Sequence, residues 1–471
     1  MKYHLVPLGC QMNRSDAERI QTVLDGMGLV AATDGDDDDI TVKGIVACSV
    51  RQKAIDRVYG KIRLWNESKN ETALITFLTG CVLPADRKKF LKLFDLVFTI
   101  DQLPILPEFI RQYGIPTPIG LSHDFFRRHG EPEAGTPAAD GADGREHPQF
   151  DGNASSITRQ GMEKHWHVKP SYSSSVEAYV PIQNGCDKFC SFCAVPYTRG
   201  REISRSSDDI LAEVGRLAAA GYKSIILLGQ NVNSYGLDRM GAELTFPQLL
   251  EEIGEIGRQN RNDFWVYFTS PHPRDVSKEL LEVMAAYPVL ADWLHLPLQS
   301  GNDEVLRRMN RNYTMEHCRE VVKNLRAILP DAALFTDIIV GFSGESDEQF
   351  QDSAQAMEEF RFDMAYIARY SPRPGARSAL WEDDVSGKEK ERRFRILSKL
   401  LLDSMAPINA ARVGQVIRVL VTSRNPRTGY LTGHSEGRIP VRLEADDSTI
   451  GTFVNLKVTS AKPLSISGEL S

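Results

Sequence analysis

Between residues 176 and 405, apolar runs of strand length alternate with amphipathic stretches of helical spacing about six times. The runs are Ala178–Gln183, Ser224–Gly229, Phe264–Thr269, Asp292–Pro297, Leu334–Gly341 and Met364–Tyr370. A strand that returns through a helix pairs parallel to its predecessor, and a parallel sheet must be covered on its faces. Six such units predict an incomplete relative of the TIM barrel, a partial (β/α)6 barrel. Chemistry in these barrels gathers at the C-terminal ends of the strands.

The flanking segments differ. Residues 1–120 repeat the alternation with strand candidates Tyr3–Gly9, Gly44–Cys48, Leu74–Gly80 and Leu96–Ile100. They predict an N-terminal parallel α/β sheet domain. Residues 121–175 are rich in Gly, Pro and Ser and show no apolar period, so they read as a flexible linker or insertion. The histidines there (His123, His129, His147, His165 and His167) read as part of a solvated, irregular loop. The barrel core then spans 176–408. Residues 409–471 hold short β-type runs, Val416–Thr422, Gly429–His434, Ile439–Leu443 and Val454–Thr459, which predict a small all-β barrel of OB-like size. Its net charge is +3 against −7 for the whole chain. The amphipathic helix just before it is also basic, and Arg392, Arg393 and Arg395 are its candidates for an RNA-facing patch.

Composition closes off other classes. At 42% apolar and 25% charged the chain is globular, neither collagen-like nor disordered throughout. A net charge of −7 excludes a uniformly basic nucleic-acid wrapper. No run approaches the ~18 apolar residues of a membrane span. The opening stretch does not read as a signal peptide, because Gln11, Asn13, Arg14 and Asp16 cut its apolar run short. A cytoplasmic, monomeric protein is the expectation.

Seven cysteines, three of them within eight positions, suit metal ligation better than a disulfide framework. Cys186, Cys190 and Cys193 follow the first barrel strand. A structural zinc site would need a fourth ligand nearby, and Ala194 to Thr198 supply none. A cubane iron–sulfur cluster has four irons, so three thiolates leave one iron open, as a catalytic centre requires. Cys10, Cys48 and Cys81 each stand at the end of a predicted strand of the first domain. Parallel strands end on one edge, so these three can converge on a second metal centre. Cys318, within a helix, reads as a structural thiol, and His272 and His295 as strand-end packing or hydrogen-bonding residues.

The Cys186–Cys193 spacing, with Phe192 before the last cysteine, resembles that of the radical S-adenosylmethionine (SAM) enzymes. Gly9-Cys10-Gln11-Met12-Asn13, Cys48 to Ala54 and Gly80-Cys81 are similar to three further cysteine signatures, those of the methylthiotransferases within that class. Val46-Ala47 and Leu83-Pro84 depart from the usual Asn-Thr and Ala-Gln without removing a ligand. The C-terminal barrel is similar to the TRAM module, which binds RNA. Leu228 to Gly236 resembles the branch acting on N6-isopentenyladenosine beside the tRNA anticodon.

The resemblance implies two [4Fe-4S] clusters and SAM. Cys186, Cys190 and Cys193 would hold the SAM-cleaving cluster, and Cys10, Cys48 and Cys81 the one carrying the sulfur to be transferred. It implies SAM contacts at Phe192, Gly229, Gln230, Asn231, Gln299, Ser300, Gly301 and Gly341. It implies methylthio transfer to C2 of the adenine, with the tRNA anticodon loop and a reducing electron donor such as flavodoxin or ferredoxin as partners. No catalytic side chain is expected. Sister branches, acting on N6-threonylcarbamoyladenosine or on an aspartate of a ribosomal protein, are the alternatives. A non-catalytic iron–sulfur RNA-binding redox sensor is a third, though it leaves the SAM-pocket motifs unexplained.

Overall fold

The computed structural model of the chain describes residues 1–32, 40–49, 52–69, 74–112, 157–260 and 263–471. Val50, Arg51, the linker up to residue 156 and its His123, His129 and His147 lie outside them. The chain forms two compact units, Met1–Ser171 and Tyr172–Ser471.

The first unit is built on a sheet of β1 (Lys2–Pro7), β2 (Val30–Ala31), β3 (Ile40–Cys48), β4 (Ile75–Cys81) and β5 (Leu96–Val97). Their order is 2-1-3-4-5 and every pairing is parallel. β4 is buried along its whole length, because helices cover both faces of a parallel sheet. The strand order reverses between β1 and β3, which opens a crevice outside their C-terminal ends. The sheet has one strand more than the four expected. β2 is two exposed residues paired only to Lys2 and Tyr3, too short to leave a pattern. The fourth expected strand stops at Val97, because the Thr99 and Gln102 side chains cap a tight turn that starts at Ile100.

The linker reading needs correction at its C-terminal end. Arg159–His167 is a helix, capped where the Thr158 hydroxyl accepts from the Gly161 N–H at 3.0 Å. Met162, His165 and Trp166 are buried on its inner side. Nine residues give only about two and a half turns, and one inward position is a histidine, 3.7 Å from Asp16, so no apolar period shows.

In the second unit six parallel strands form the partial barrel: β6 (Glu177–Pro181), β9 (Ser224–Leu228), β10 (Trp265–Phe268), β11 (Trp293–His295), β12 (Ala333–Val340) and β13 (Met364–Arg369). They pair as β6-β9-β10 and β11-β12-β13, with a bridge from Val266 to Leu290 between the two ladders. Alternation splits each strand. Ala178, Ile225, Val266, Leu294 and Leu334 face the helices in one core. Tyr267, Trp293, His295 and Phe335 meet ring to ring on the other face. A short antiparallel pair, β7 (Gln183–Asn184) with β8 (Ile203–Ser204), ties down the two ends of the cysteine loop.

The C-terminal segment is a closed five-stranded barrel of β14 (Val416–Arg424), β15 (Leu431–Ser435), β16 (Pro440–Leu443), β17 (Phe453–Lys462) and β18 (Ser465–Leu470), in the order 14-15-16-18-17. The fifth strand escaped the sequence reading, since its apolar content is little more than Ile466 and Leu470. Closure removes exposed sheet edges. This barrel packs on β10 and its neighbours: Phe453 lies 4.5 Å from the Trp265 ring, and Arg438 reaches Glu177 at 3.1 Å.

The basic helix, Gly387–Ala410, is only partly a surface. Arg393 is 4% exposed and donates to the buried Glu345 carboxylate at 2.7 Å, so it is withdrawn from the RNA-facing candidates. Its neighbours Leu397 and Leu401 face inward, and a residue four positions before Leu397 shares that face. Arg392 bonds Asp347 and Glu389, and Arg395 bonds Glu391, both at the surface. Removing Arg393 strands a buried carboxylate, whereas an exposed ion pair contributes little. Arg393→Ala is expected to destabilise the second unit by about 3 kcal/mol in chemical denaturation. Arg395→Ala should leave the denaturation midpoint in place.

Candidate active site

The loop from Cys186 to Cys193 leaves β7 through Gly185. That glycine has φ +84°, and a Cβ there would stand 2.0 Å from the Arg201 carbonyl oxygen, so no other residue fits. Its N–H donates to Gln230 Oε1 at 2.6 Å. Arg201 holds Asp187 through two bonds, at 2.6 and 3.0 Å. Phe189 is forced to φ +48°, and the Asn310 amide donates to the carbonyls of Lys188 and Phe189, at 3.3 and 3.0 Å. Ser191 is tied to the same distant loop: its N–H donates to Met309 O and its hydroxyl to Arg308 O.

Cys186, Cys190 and Cys193 all line one cavity of about 170 Å³. Burial pushes the Cys186 thiol up to about 12, and the two neighbouring cysteines add to that. Such a thiol gives up its proton only when a metal takes its place. Among the described residues, no three His, Cys, Asp or Glu side chains are spaced to hold a single ion. A cubane asks for something different, each thiolate on its own iron, and three thiols facing a common space fit that demand.

Phe192, Gln230, Asn231 and Gln299 share the cavity wall. Among the described residues, two buried atoms of the wall find no partner: the donor-or-acceptor His272 Nε2 and the acceptor Asn231 Oδ1. Since His272 Nδ1 accepts from the Arg274 N–H at 3.3 Å, Nε2 carries the proton of the neutral ring. A polar ligand with one acceptor and one donor would complete both atoms, as SAM could. Gly229 sits behind the wall, against Val232 and Gln183.

Ser300, Gly301 and Gly341, expected as SAM contacts, are not among the residues that line this cavity, although Ser300 directly follows Gln299 of its wall. Ser300 and Gly301 lie against Ser353, and a Cβ on Gly301 would come 2.4 Å from the Asp352 carbonyl oxygen. Gly341, at φ +72°, packs on Lys390 and donates to Glu345.

The sequence reading overlooked Arg311, Asp337, Ser270 and the cavity role of His272. His295, also read as packing, has its Nε2 3.0 Å from Asp337 Oδ2 at the edge of this cavity. Arg311 comes from a loop between two helices, outside any strand end. One signal does mark the region. Of seven non-glycine residues with positive φ among those described, Phe189, Ser270, Gln299, Asn310 and Asn312 lie in or against this site. Strain of this kind persists where the surrounding structure enforces it.

The first unit has a second cysteine group at its crevice. Cys48 and Cys81 are paired neighbours at the ends of β3 and β4. Cys10 caps the helix Gln11–Gly26 directly after β1. A Cβ on Gly9 would lie 2.9 Å from Cys48 Cβ, so all three strand ends meet. Asn13, fully buried, links them: Oδ1 accepts from the Cys10 N–H at 3.3 Å and Nδ2 donates to Ala47 O at 2.7 Å. Gly80, at φ +99°, leaves room for that amide 3.0 Å from where a Cβ would be. Cys318 is buried in the core of the second unit, far up in its protonation range for the same reason as Cys186.

Comparison with known proteins bears on both sites. Residues 180–357 match the Radical SAM superfamily, residues 2–100 the Uncharacterized protein family UPF0004, and residues 410–470 the TRAM domain. The tRNA-2-methylthio-N(6)-dimethylallyladenosine synthase of Geobacter metallireducens is 35% identical, over 99% of this chain and 98% of its own. That of Geobacter sulfurreducens is 37% identical over 98% and 96%. Among solved structures, the radical S-adenosylmethionine methyltransferase TsrM from Kitasatospora setae, with tryptophan and a SAM analog bound, has a TM-score of 0.54. It is 15% identical and covers 78% of this chain and 72% of its own. At that identity the likeness is one of fold.

Burial and the nearby Arg311 and Lys188 charges bring His272 from 6.5 down to about 2. Its neutral ring therefore adds stability above about pH 6.5, which is lost as pH falls below that value, by up to about 1.4 kcal/mol per pH unit. His272→Gln should lose less stability than the parent chain between about pH 7 and pH 5. Equal slopes in denaturation would show the ring to be solvated.

Proposed function

The chain belongs to the tRNA-2-methylthio-N(6)-dimethylallyladenosine synthases, radical SAM enzymes that use a [4Fe-4S] cluster and SAM. On that footing we propose that it joins a methylthio group to C2 of N6-isopentenyladenosine beside the anticodon of tRNA. The observation that carries the reading is the set of three thiols, Cys186, Cys190 and Cys193, on one cavity whose wall also holds two unsatisfied polar atoms. The sister substrates are not favoured, because the full-length relatives are named for N(6)-dimethylallyladenosine.

In this reading Cys186, Cys190 and Cys193 hold the SAM-cleaving cluster, and Cys10, Cys48 and Cys81 a second [4Fe-4S] cluster. When bound, these groups and SAM supply radical chemistry and the transferred sulfur, which a C2–H bond with neither acidic proton nor leaving group demands. The chain's own residues position and exclude. Asn13 fixes the spacing of the three strand ends that bear the second thiol set. Gln230 braces the first cysteine loop through Gly185, and Phe192 closes the cavity side by packing with Val305, Met309 and Phe342. His272 offers a fixed N–H, and Asn231 a carbonyl oxygen, to the bound cofactor. The small C-terminal barrel grips the tRNA, with Arg392 and Arg395 alongside it. An electron donor of the flavodoxin or ferredoxin class serves a cytoplasmic, monomeric enzyme. No helix among the described residues is long and apolar enough to cross a membrane.

Nucleoside mass spectrometry of tRNA from a strain lacking the gene tests the reading. N6-isopentenyladenosine should accumulate and its 2-methylthio form disappear; an unchanged profile would overturn it. The anaerobically purified chain should bind about eight irons. Cys186→Ala should abolish SAM cleavage. Cys48→Ala should keep SAM cleavage and stop methylthio transfer, and loss of both activities would contradict the division between the two thiol sets.

A further inference from the structure

Arg311 is 6% exposed, and all three of its nitrogens are engaged. Nη1 donates to Cys190 Sγ at 3.3 Å, Nη2 to Pro297 O at 3.0 Å, and Nε to the Tyr313 hydroxyl at 3.0 Å. Its guanidinium lies 5.2 Å from the centre of the Tyr313 ring. Among the described residues no carboxylate pairs with it. The other cation of the cavity wall, Lys188, is already compensated by Asp275 at 2.5 Å. His272 is neutral.

An arginine keeps its charge in any protein environment, and burying that charge without a counter-ion is costly. Among the described residues, two groups in contact with Arg311 can carry negative charge, the Tyr313 hydroxyl and the Cys190 sulfur; burial holds the phenol protonated, which leaves the sulfur, a thiolate when it ligates iron. The flanking backbone shows the contact to be enforced. Asn310 and Asn312 both have positive φ, and Asn310 bonds directly to the cysteine loop. The guanidinium is thus held against a thiol by two flanking residues of positive φ and by its hydrogen bonds to Pro297 O and the Tyr313 hydroxyl.

We propose that Arg311 sets the reduction potential of the cluster held by Cys186, Cys190 and Cys193, through its charged N–H bond to the Cys190 sulfur. The proposal rests on the assignment of that cluster to these thiols. Reduction is the uptake of one electron from an external donor of the flavodoxin or ferredoxin class; no bond forms or breaks and Arg311 keeps its protons. Added negative charge spreads onto the ligand sulfurs. A fixed cation at one of them stabilises the reduced state more than the oxidised state, so it raises the potential and makes the electron easier to accept. Hydrogen bonds to the sulfurs and the net charge around a cluster are established levers on its potential. Arg311 is then a positioning residue that acts through Cys190.

The test uses the full-length chain with Cys10, Cys48 and Cys81 changed to Ala, so that one cluster remains, followed by electron paramagnetic resonance during redox titration without SAM. Arg311→Met should lower the ratio of reduced to oxidised cluster about ten-fold at the parent's midpoint, a shift of about 59 mV for one electron. Arg311→Lys, which keeps the charge but not the planar fork, should fall between the two. A fully loaded Arg311→Met chain with the parent's midpoint would overturn the proposal. So would an unchanged midpoint accompanied by weakened SAM binding, which would make the arginine a ligand of SAM instead. If Arg311→Met loads no iron, the parent chain labelled with 15N-arginine decides. The reduced cluster should show hyperfine coupling to an arginine nitrogen, lost in Arg311→Lys, and its absence would overturn the proposal. A parent chain that holds no cluster at all would instead overturn the assignment of the thiols.

Discussion

Parallel strands all leave a sheet at the same edge, and both cysteine sets depend on that. Residues scattered along the chain become neighbours when they stand just past the ends of adjacent parallel strands. In the first unit β1, β3 and β4 lie side by side, so residues 10, 48 and 81 meet at one crevice. That crevice is the one the order 2-1-3-4-5 creates, where the chain switches direction across the sheet. In the second unit the same rule puts Asn231 after β9, His272 after β10 and Gln299 after β11 around the thiols that follow β6. An antiparallel sheet would send alternate strand ends to opposite edges and scatter both sets.

Convergence alone does not make a site usable. A cysteine loop of eight residues has more conformations than a cluster can accept, and here they are removed from outside. Gly185 has room for nothing larger, Arg201 fixes Asp187, and the loop around Asn310 bonds to Lys188, Phe189 and Ser191 from more than a hundred residues away. The positive φ of Phe189 is maintained by those bonds. The strained backbone and buried charge of this region cost stability, and the surrounding core, continuous from β6 to the helix Gly387–Ala410, offsets it.

That same helix shows how charge misleads. Six basic residues in twelve suggest an outward, solvated face. Yet Lys390 and Arg393 are buried, because they share the inward stripe with Leu397 and Leu401, and carboxylates on other segments meet them: Asp383 and Glu345. Glu345 stands 48 residues before Arg393, and Asp383, though only 7 before Lys390, precedes the helix, so the helical period marks neither partner. Gly301 and Gly341 stand at strand ends in close contact with other segments, Gly301 with the Asp352 carbonyl and Gly341 with Lys390.

Much of this was legible in the amino-acid order. Alternation of strand and helix gave the class of both sheets, the cysteine positions pointed to two sets of thiols that the fold brings to strand ends, and the short β runs gave a small closed barrel short of one strand. These are properties of neighbouring residues, set by periods of two and 3.6. The helix at Arg159–His167, the strands β2 and β18, and the place of Arg311, His272 and Arg393 were decided by tertiary structure. Short elements lean on partners elsewhere for their hydrogen bonds, and a polar side chain is buried or exposed according to what packs against it. Sequence fixes which groups a chain possesses; only folding decides which of them lose water and meet.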